Sequence, residues 1–412
     1  MPRAVLGLLL SLSLPLPLLG ADWPQFLGPN RDSTSPDPVE AWKGELKAAW
    51  RRPVGDAHSS PVVSGGVAYA FYQPSGKNAD ALAAFDASSG QPLWEKSYDR
   101  AEFNPPFGKG PRSTPAVVGG KVYTLGNTGV LACWDATSGA IVWQVDTLKD
   151  FGAKNLFFGV STSPLIEGDH VIVMVGGKGA GIVAFDKSSG KVAWKATDDP
   201  ASYASPIATG TGPDRQLVFL TGSHLRGLSP AGKELWSYPF EAKVGAIIEA
   251  STTPVKVGDL LVGGSVTAGS VGLRVSAADG QFTPTEVWKN EKLTCYFSTP
   301  VAVGDYLYMA TGTASVTKPA VTLRCVEAKS GKVAWERPNV GKYHAALVRT
   351  GNGKLLMLDD TGFLTLLDPD PKGYKELARS KVCGPTWAHP ALVGSRVYLR
   401  DEKELICVPL AG

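Results

Sequence analysis

The sequence predicts an all-β fold: an eight-bladed β-propeller of four-stranded antiparallel blades, the last blade closed by the N-terminal strand. Three observations carry this expectation: a composition rich in turn residues, one phrase that recurs eight times, and a final repeat whose missing strand sits near residue 50. The chain has 47 glycines and 31 prolines in 412 residues, about a fifth of the total, where ~12% is usual. A helical protein does not tolerate that punctuation, because each such residue inside a helix costs about 1–3 kcal/mol. At 43% hydrophobic residues the chain can still bury a core.

The repeated phrase runs from small polar residues and Pro into an apolar alternation, a Gly turn, a second strand, then D-x-x-S-G and a strand ending in Trp. Its first four openings are His58-Ser59-Ser60-Pro61, Arg112-Ser113-Thr114-Pro115, Ser161-Thr162-Ser163-Pro164 and Tyr203-Ala204-Ser205-Pro206. Then follow Ser251-Thr252-Thr253-Pro254, Phe297-Ser298-Thr299-Pro300, a degenerate Tyr343-His344-Ala345-Ala346, and Trp387-Ala388-His389-Pro390. The spacing of roughly 42–54 residues is that of a four-stranded blade.

Within a unit, residues 117–125 and 130–136 alternate as strands around the turn at Asn127, Thr128 and Gly129. Asp135 to Gly139 then turns the chain again, the Asp side chain accepting backbone N–H groups and Gly taking the left-handed position. Each unit closes on a large apolar residue: Trp94, Trp143, Trp194, Trp236, Trp288 and Trp335, with Leu377 in the seventh. One Trp per unit is expected as a wedge between neighbouring sheets. The eighth unit stops at Gly412 without a closing strand, and Trp50-Arg51-Arg52-Pro53 has the closing pattern with no opening before it. Pairing the two closes the ring and removes exposed edges.

The first twenty residues read as a signal peptide: a short positive start, then an apolar run broken by Pro15 and Pro17, too short to span a membrane. The expected organisation is 1–20 signal peptide, 21–47 N-terminal extension and 48–412 propeller. Export to the periplasm or beyond follows, with no membrane span and, lacking a cysteine after the run, no lipid anchor; a monomer is expected. Cys133, Cys325 and Cys407 fall in strand contexts as small core residues, whereas Cys295 and Cys383 fall in loops and could pair. A net charge of +3 spread without a basic block gives no nucleic-acid footprint. No G-x-S-x-G, P-loop or H-E-x-x-H is present, which removes the footing for hydrolase and nucleotide chemistry.

The units resemble the pyrroloquinoline-quinone-like (PQQ-like) repeat, A-x-D-x-x-[ST]-G-x-x-x-W, at residues 84–94 (AFDASSGQPLW) and again at 184–194. Residues 23–31, WPQFLGPNR, resemble the start of exported bacterial members of that family. The resemblance implies a propeller with one of two kinds of function. Quinoprotein alcohol dehydrogenases hold pyrroloquinoline quinone and calcium and carry a disulfide between adjacent cysteines. The propeller lipoprotein of the outer-membrane β-barrel assembly machinery is a binding scaffold. Here no two cysteines are adjacent and no acidic pair maps onto calcium ligands. Asp359-Asp360 reads as a hairpin turn, and Asp368-Pro369-Asp370 as the seventh unit's turn.

The expected function is therefore an exported, non-catalytic scaffold that binds a protein, peptide or glycan-like ligand and needs no cofactor. A quinone-dependent dehydrogenase of alcohols or sugars, with quinone and calcium, is the alternative. The site is expected where loops enter the innermost strands and ring one channel mouth: His58, Arg112, Ser161, Tyr203, Ser251, Phe297, Tyr343 and Trp387, with Glu249, Tyr296, His344 and His389 close by. Aromatic and cationic side chains around a concavity suit an anionic, sugar-like or peptide ligand, or they plug the channel. No residues are assigned to catalysis or to a metal, although His58, His344 and His389 come from neighbouring blades.

Overall fold

The computed structural model describes residues 21–244, 247–312 and 319–410; the expected signal peptide, 1–20, lies outside them. Eight four-stranded antiparallel sheets are present among the described residues, together with a two-stranded hairpin of Lys243–Val244 and Ile247–Ile248. Each blade is a simple meander. Blade 1 runs through Val62–Ser64, Val67–Tyr72, Ala79–Asp86 and Pro92–Asp99. Blade 8 consists of Ala391–Val393, Arg396–Arg400 and Glu404–Pro409 from the C-terminal end and Trp50–Pro53 from the other end. The register pairs Trp50 with Cys407 and Pro53 with Glu404, so the expected closure is observed.

The closing tryptophans bind blade to blade. Trp50, Trp94 and Trp143 donate their indole N–H to carbonyls of the following blade, at Ala87, Ala136 and Lys187, each at 3.1 Å. Trp194, Trp288 and Trp335 do the same to Pro230, Ala328 and Asp370 at 2.7–3.2 Å. The indoles of Trp50, Trp94, Trp143, Trp194 and Trp288 lie against a turn glycine of the next blade, for Trp143 Gly190. The turn itself is held by Asp186, whose carboxylate accepts from the hydroxyls and amides of Ser188 and Ser189. Those bonds draw its pKa down to about 2.

Trp236 is the exception. Its N–H donates to Gln216 of its own blade, because the next blade has two ten-residue strands, Gly269–Ala278 and Gln281–Asn290, joined at Asp279-Gly280 without the Asp-to-Ser turn. The five cysteines are free and buried, so Cys295 and Cys383 do not form the disulfide that their loop positions allowed.

Around the channel, hydroxyls just before the prolines link the innermost strands. The His389 amide donates to Ser60 Oγ, that of Ser60 to Thr114 Oγ1, that of Thr114 to Ser163 Oγ and that of Ser163 to Ser205 Oγ, all at 2.9–3.1 Å. Thr253 donates likewise to Thr299. In blade 7, where Ala345 supplies no hydroxyl, its amide donates back to Ser298 Oγ. Between blades 4 and 5 a backbone bond from Tyr203 to Ala250 takes over. Proline at seven of the eight strand entries removes an N–H that would face the channel unpaired.

From the opposite side the N-terminal extension enters the channel. Asp22 and Trp23 attach to blade 1, and the Val117 amide of blade 2 donates to Pro24 O. The buried Arg31 guanidinium donates to the carbonyls of Ser163, Pro164 and Pro206 in blades 3 and 4. Burial away from any carboxylate lowers its pKa to about 9. The chain then crosses to blade 7 through Ser33, Ser35 and Arg349, and to blade 8 through Asp37 and Gly394.

The Trp–glycine contact is testable against a control. Gly190 has φ +71° and a Cβ there would lie 2.7 Å from the Trp143 ring, whereas Gly65 has φ +58° and open space around it. Gly65→Ala should cost about 1–2 kcal/mol for its left-handed backbone, and Gly190→Ala a further ~1–3 kcal/mol for displacing the indole. Equal denaturation midpoints for the two variants would remove the packing claim.

Candidate functional site

The strand-entry loops converge as expected, and two longer loops join them. Residues 101–111 fold over the mouth between blades 1 and 2. A buried ion pair, Asp80 with Arg100 at 2.9 Å, anchors this loop, since Arg100 also donates to Lys109 O. Asp56 accepts from the Lys109 and Gly110 amides, and the His58 ring bonds Phe107 O. Arg112 donates to the carbonyls of Pro106, Phe107 and Gly108. These bonds hold Phe107 at φ +63°, a backbone conformation costly for a bulky residue. The second loop, between blades 2 and 3, brings in Phe157 and Phe158.

The result is an aromatic cluster centred on Trp387. His58 and Phe297 stack on the indole at 4.9 and 5.3 Å between centroids, and Phe107 and Tyr343 each lie at 5.6 Å. Phe158 continues the cluster from Phe107 to Tyr203, and Tyr296 stacks on Phe297 at 3.8 Å. Beneath lies a half-enclosed cavity of about 120 Å³. Its wall includes His58, Arg112, Tyr203, Ser251, Phe297 and Trp387, and its floor is formed by His389 together with Phe26 of the N-terminal extension.

Twelve residues were expected at the mouth; Ser161, Ser251 and Phe297 line the cavity, and the structure distributes the other nine. His58, Arg112, Tyr203, Trp387 and His389 line the cavity, and Tyr343 and Tyr296 pack against the aromatic cluster. Glu249 is buried near Tyr203 and Tyr296, and burial raises its pKa. His344 does not line the cavity; it is buried, its Nδ1 paired with Ser298 Oγ at 3.0 Å, its ring 5.2 Å from that of His389. Among the described residues no three His, Cys, Asp or Glu side chains assemble a metal-binding group. Sequence reasoning missed Phe26, Phe107 and Phe158. Each stands in a phrase that was visible, WPQF, NPPFG and NLFFG, but outside the repeat.

The imidazoles are held neutral. Burial lowers His389 to about 4 and pushes His344 well down, and burial with Arg112 nearby lowers His58 to about 4. Burial also brings Arg112 down to about 10.

A folded-state pKa below the unfolded value means that the unfolded chain takes up the proton first. His389 therefore removes stability as pH falls from 6.5 towards 4, up to about 3 kcal/mol. Above pH 6.5 it contributes no such penalty. Thermal unfolding of wild type and His389→Asn between pH 7 and pH 4.5 should show the smaller acid loss in the variant; parallel profiles would mean that the imidazole is not held neutral.

Residues 77–337 match the model of a family described as outer membrane protein assembly factor BamB. The chain is 32% identical over 179 residues to the dehydrogenase subunit of a quinone alcohol dehydrogenase from Komagataeibacter europaeus, over 40% of this chain and 23% of that protein. It is 23% identical over 272 residues to outer membrane protein assembly factor BamB of Yersinia pestis, over 61% of this chain and 64% of that one. It thus spans about a quarter of the dehydrogenase relative and just under two thirds of the assembly factor. In structure it resembles BamB from Moraxella catarrhalis, with TM-score 0.61, 16% identity, and 89% of this chain and 98% of that chain covered. Quinohemoprotein alcohol dehydrogenase from Comamonas testosteroni gives TM-score 0.64, 14% identity, and coverage of 94% and 80%. At these identities the structural likeness speaks for the fold alone. The family match extends over well more than half of the sequence, and the chain belongs to the BamB family of propellers built from PQQ-like repeats.

Proposed function

We propose that this protein is an exported, non-catalytic propeller scaffold that binds a partner through the aromatic mouth, the partner being a protein or peptide rather than a glycan. The observation that carries this reading is the aromatic cluster around Trp387, drawn from seven separate blade-entry loops and set over a cavity. Aromatic anchors beside a desolvated pocket are the usual energetic centre of a protein interface. The kinship with an assembly factor supports a binding role, and the apolar opening of the sequence supports export to the periplasm.

Quinone catalysis is the competing reading, favoured by the likeness to dehydrogenases. The donor set fits it poorly. A tricarboxylate quinone needs several cationic donors, and the cavity wall offers Arg112, which is engaged with loop carbonyls. The cavity has room for about one ring, not three fused ones, since a void of about 150 Å³ accommodates a benzene. The wider hollow beside it, about 820 Å³, sets Lys342, Lys381 and Lys403 against Asp56, Asp360, Asp401 and Glu402, carboxylates that oppose a tricarboxylate. The cysteines lie apart in the sequence and are buried.

Two measurements separate the readings. Trp387→Ala with Tyr343→Ala should abolish capture of a partner cross-linked from the native envelope while the circular dichroism stays that of the wild type; undiminished capture overturns the mouth as the binding surface. Incubation with pyrroloquinoline quinone and calcium should give no dye reduction with alcohols or sugars; turnover would establish the dehydrogenase reading.

A further inference from the structure

We propose that the mouth cavity is an anchor pocket for one tyrosine side chain of a partner protein, with the phenol hydroxyl meeting the imidazole of His389. This rests on the scaffold reading above and specifies what the scaffold grips.

Size comes first. At about 120 Å³ the cavity compares with the roughly 150 Å³ void that accepts benzene, so one six-membered ring fills it. The lining suits such a ring: Phe26, Phe107, Phe158 and Phe297 present aromatic surface to the cavity, and aromatic pairs gain from edge-to-face contact.

One polar group is required, and it is deep. His389 is only 4% exposed, lines the cavity, and has no hydrogen-bond partner on either ring nitrogen. A neutral imidazole carries one donor and one acceptor, and leaving both unmet in a buried site is costly. Its ring is flanked by Phe26 at 5.3 Å and His344 at 5.2 Å, which fixes its orientation. A phenol hydroxyl both donates and accepts, so it satisfies either nitrogen.

Charge narrows the choice. Arg112 is a wall residue with no carboxylate in ion-pair contact among the described residues, which opposes an ammonium group. Its terminal nitrogen is already turned to three loop carbonyls, which weakens the case for an anion. A neutral aromatic ring with one hydroxyl remains.

The rim indicates that the ring is carried by a protein. Phe107 and Phe157 are 48% and 53% exposed; Phe107 lines the cavity, and Phe157 packs on the lining residue Phe158 at 4.8 Å. A free single-ring compound would leave this apolar collar in water. A protein segment covers the collar while its anchor fills the pocket, the arrangement of an interface hot spot.

The test uses the purified protein and amino-acid amides, followed by ligand-detected nuclear magnetic resonance. N-acetyl-tyrosinamide should bind saturably and about tenfold more tightly than N-acetyl-phenylalaninamide, the worth of one hydrogen bond to a buried group; N-acetyl-leucinamide should bind more weakly still. His389→Leu should bring tyrosine down to the phenylalanine level. Ser251→Trp, which fills the cavity, should abolish binding of all three. Should that variant fail to fold, Phe26→Ala lowers the floor and should shift preference to N-acetyl-tryptophanamide. The proposal is overturned by equal binding of tyrosine and leucine amides, by tighter binding of methyl glucoside, or by a tyrosine preference that survives His389→Leu. If no amide binds while the Trp387 and Tyr343 substitutions still abolish partner capture, the anchor pocket falls and the scaffold reading stands.

Discussion

The strand-entry side chains at the mouth take their positions from hydrogen bonds that cross between blades at the entry of the innermost strands. A propeller blade contributes only its innermost strand to the channel, and the amides at that strand's start have no partner within the sheet. A serine or threonine of the adjacent blade supplies one, at 2.9–3.1 Å from blade 8 through blade 4. The residue two or three positions earlier is thereby pointed at the axis, where His58, Arg112, Tyr203 and Trp387 meet. Where the device fails, in blade 7, the substitute bond from Ala345 to Ser298 also places that serine against His344. The two buried histidines thus accompany the irregular part of the ring.

The N-terminal extension turns an open channel into a blind one. Arg31 is the residue best suited to this, because the carbonyls of Ser163, Pro164 and Pro206 converge and a planar guanidinium can address them together. Burying that charge without a carboxylate is unfavourable in itself, as its lowered pKa reflects. The extension also carries Trp23 and Leu27, 2% and 1% exposed, and these buried apolar groups offset the cost. Phe26 then forms the floor of the cavity above, so the residue that limits the depth of the site comes from outside the repeats.

Much of this architecture is legible in the sequence because it is periodic. Eight openings, seven of them led into by Pro, the Asp turns and the tryptophans state the blade count, and the unfinished last unit with its orphan Trp50 states the closure. The site is legible only where it rides on that period. His58, Arg112, Tyr203 and Trp387 sit at a constant offset before the prolines, and they do line the cavity. Phe107 and Phe158 belong to loops whose conformations depend on Asp56, Arg100 and Arg112, contacts that no spacing announces. His344 shares the offset of His389 within one residue, yet it turns inward towards Ser298. The serines and threonines carry a second meaning that composition alone did not reveal: they are the fasteners of the ring.

Blade 8 is made from the two ends of the chain, Trp50 facing Cys407. During synthesis the N-terminal end emerges first, so its closing strand and the extension before it must wait, unpaired, for nearly the whole of the remaining polypeptide. Seven blades can assemble in order as they appear, each on its predecessor, but the ring acquires its last hydrogen bonds only when the final strand arrives. Closing so long a loop is slow, although its entropic cost rises only gently with length. The waiting strand, with Trp50 exposed, is the segment that needs protection from misdirected pairing in the interval. Completion of the last strand therefore acts as a quality check: a chain cut short at its C-terminal end leaves the first strand without a partner and the ring open.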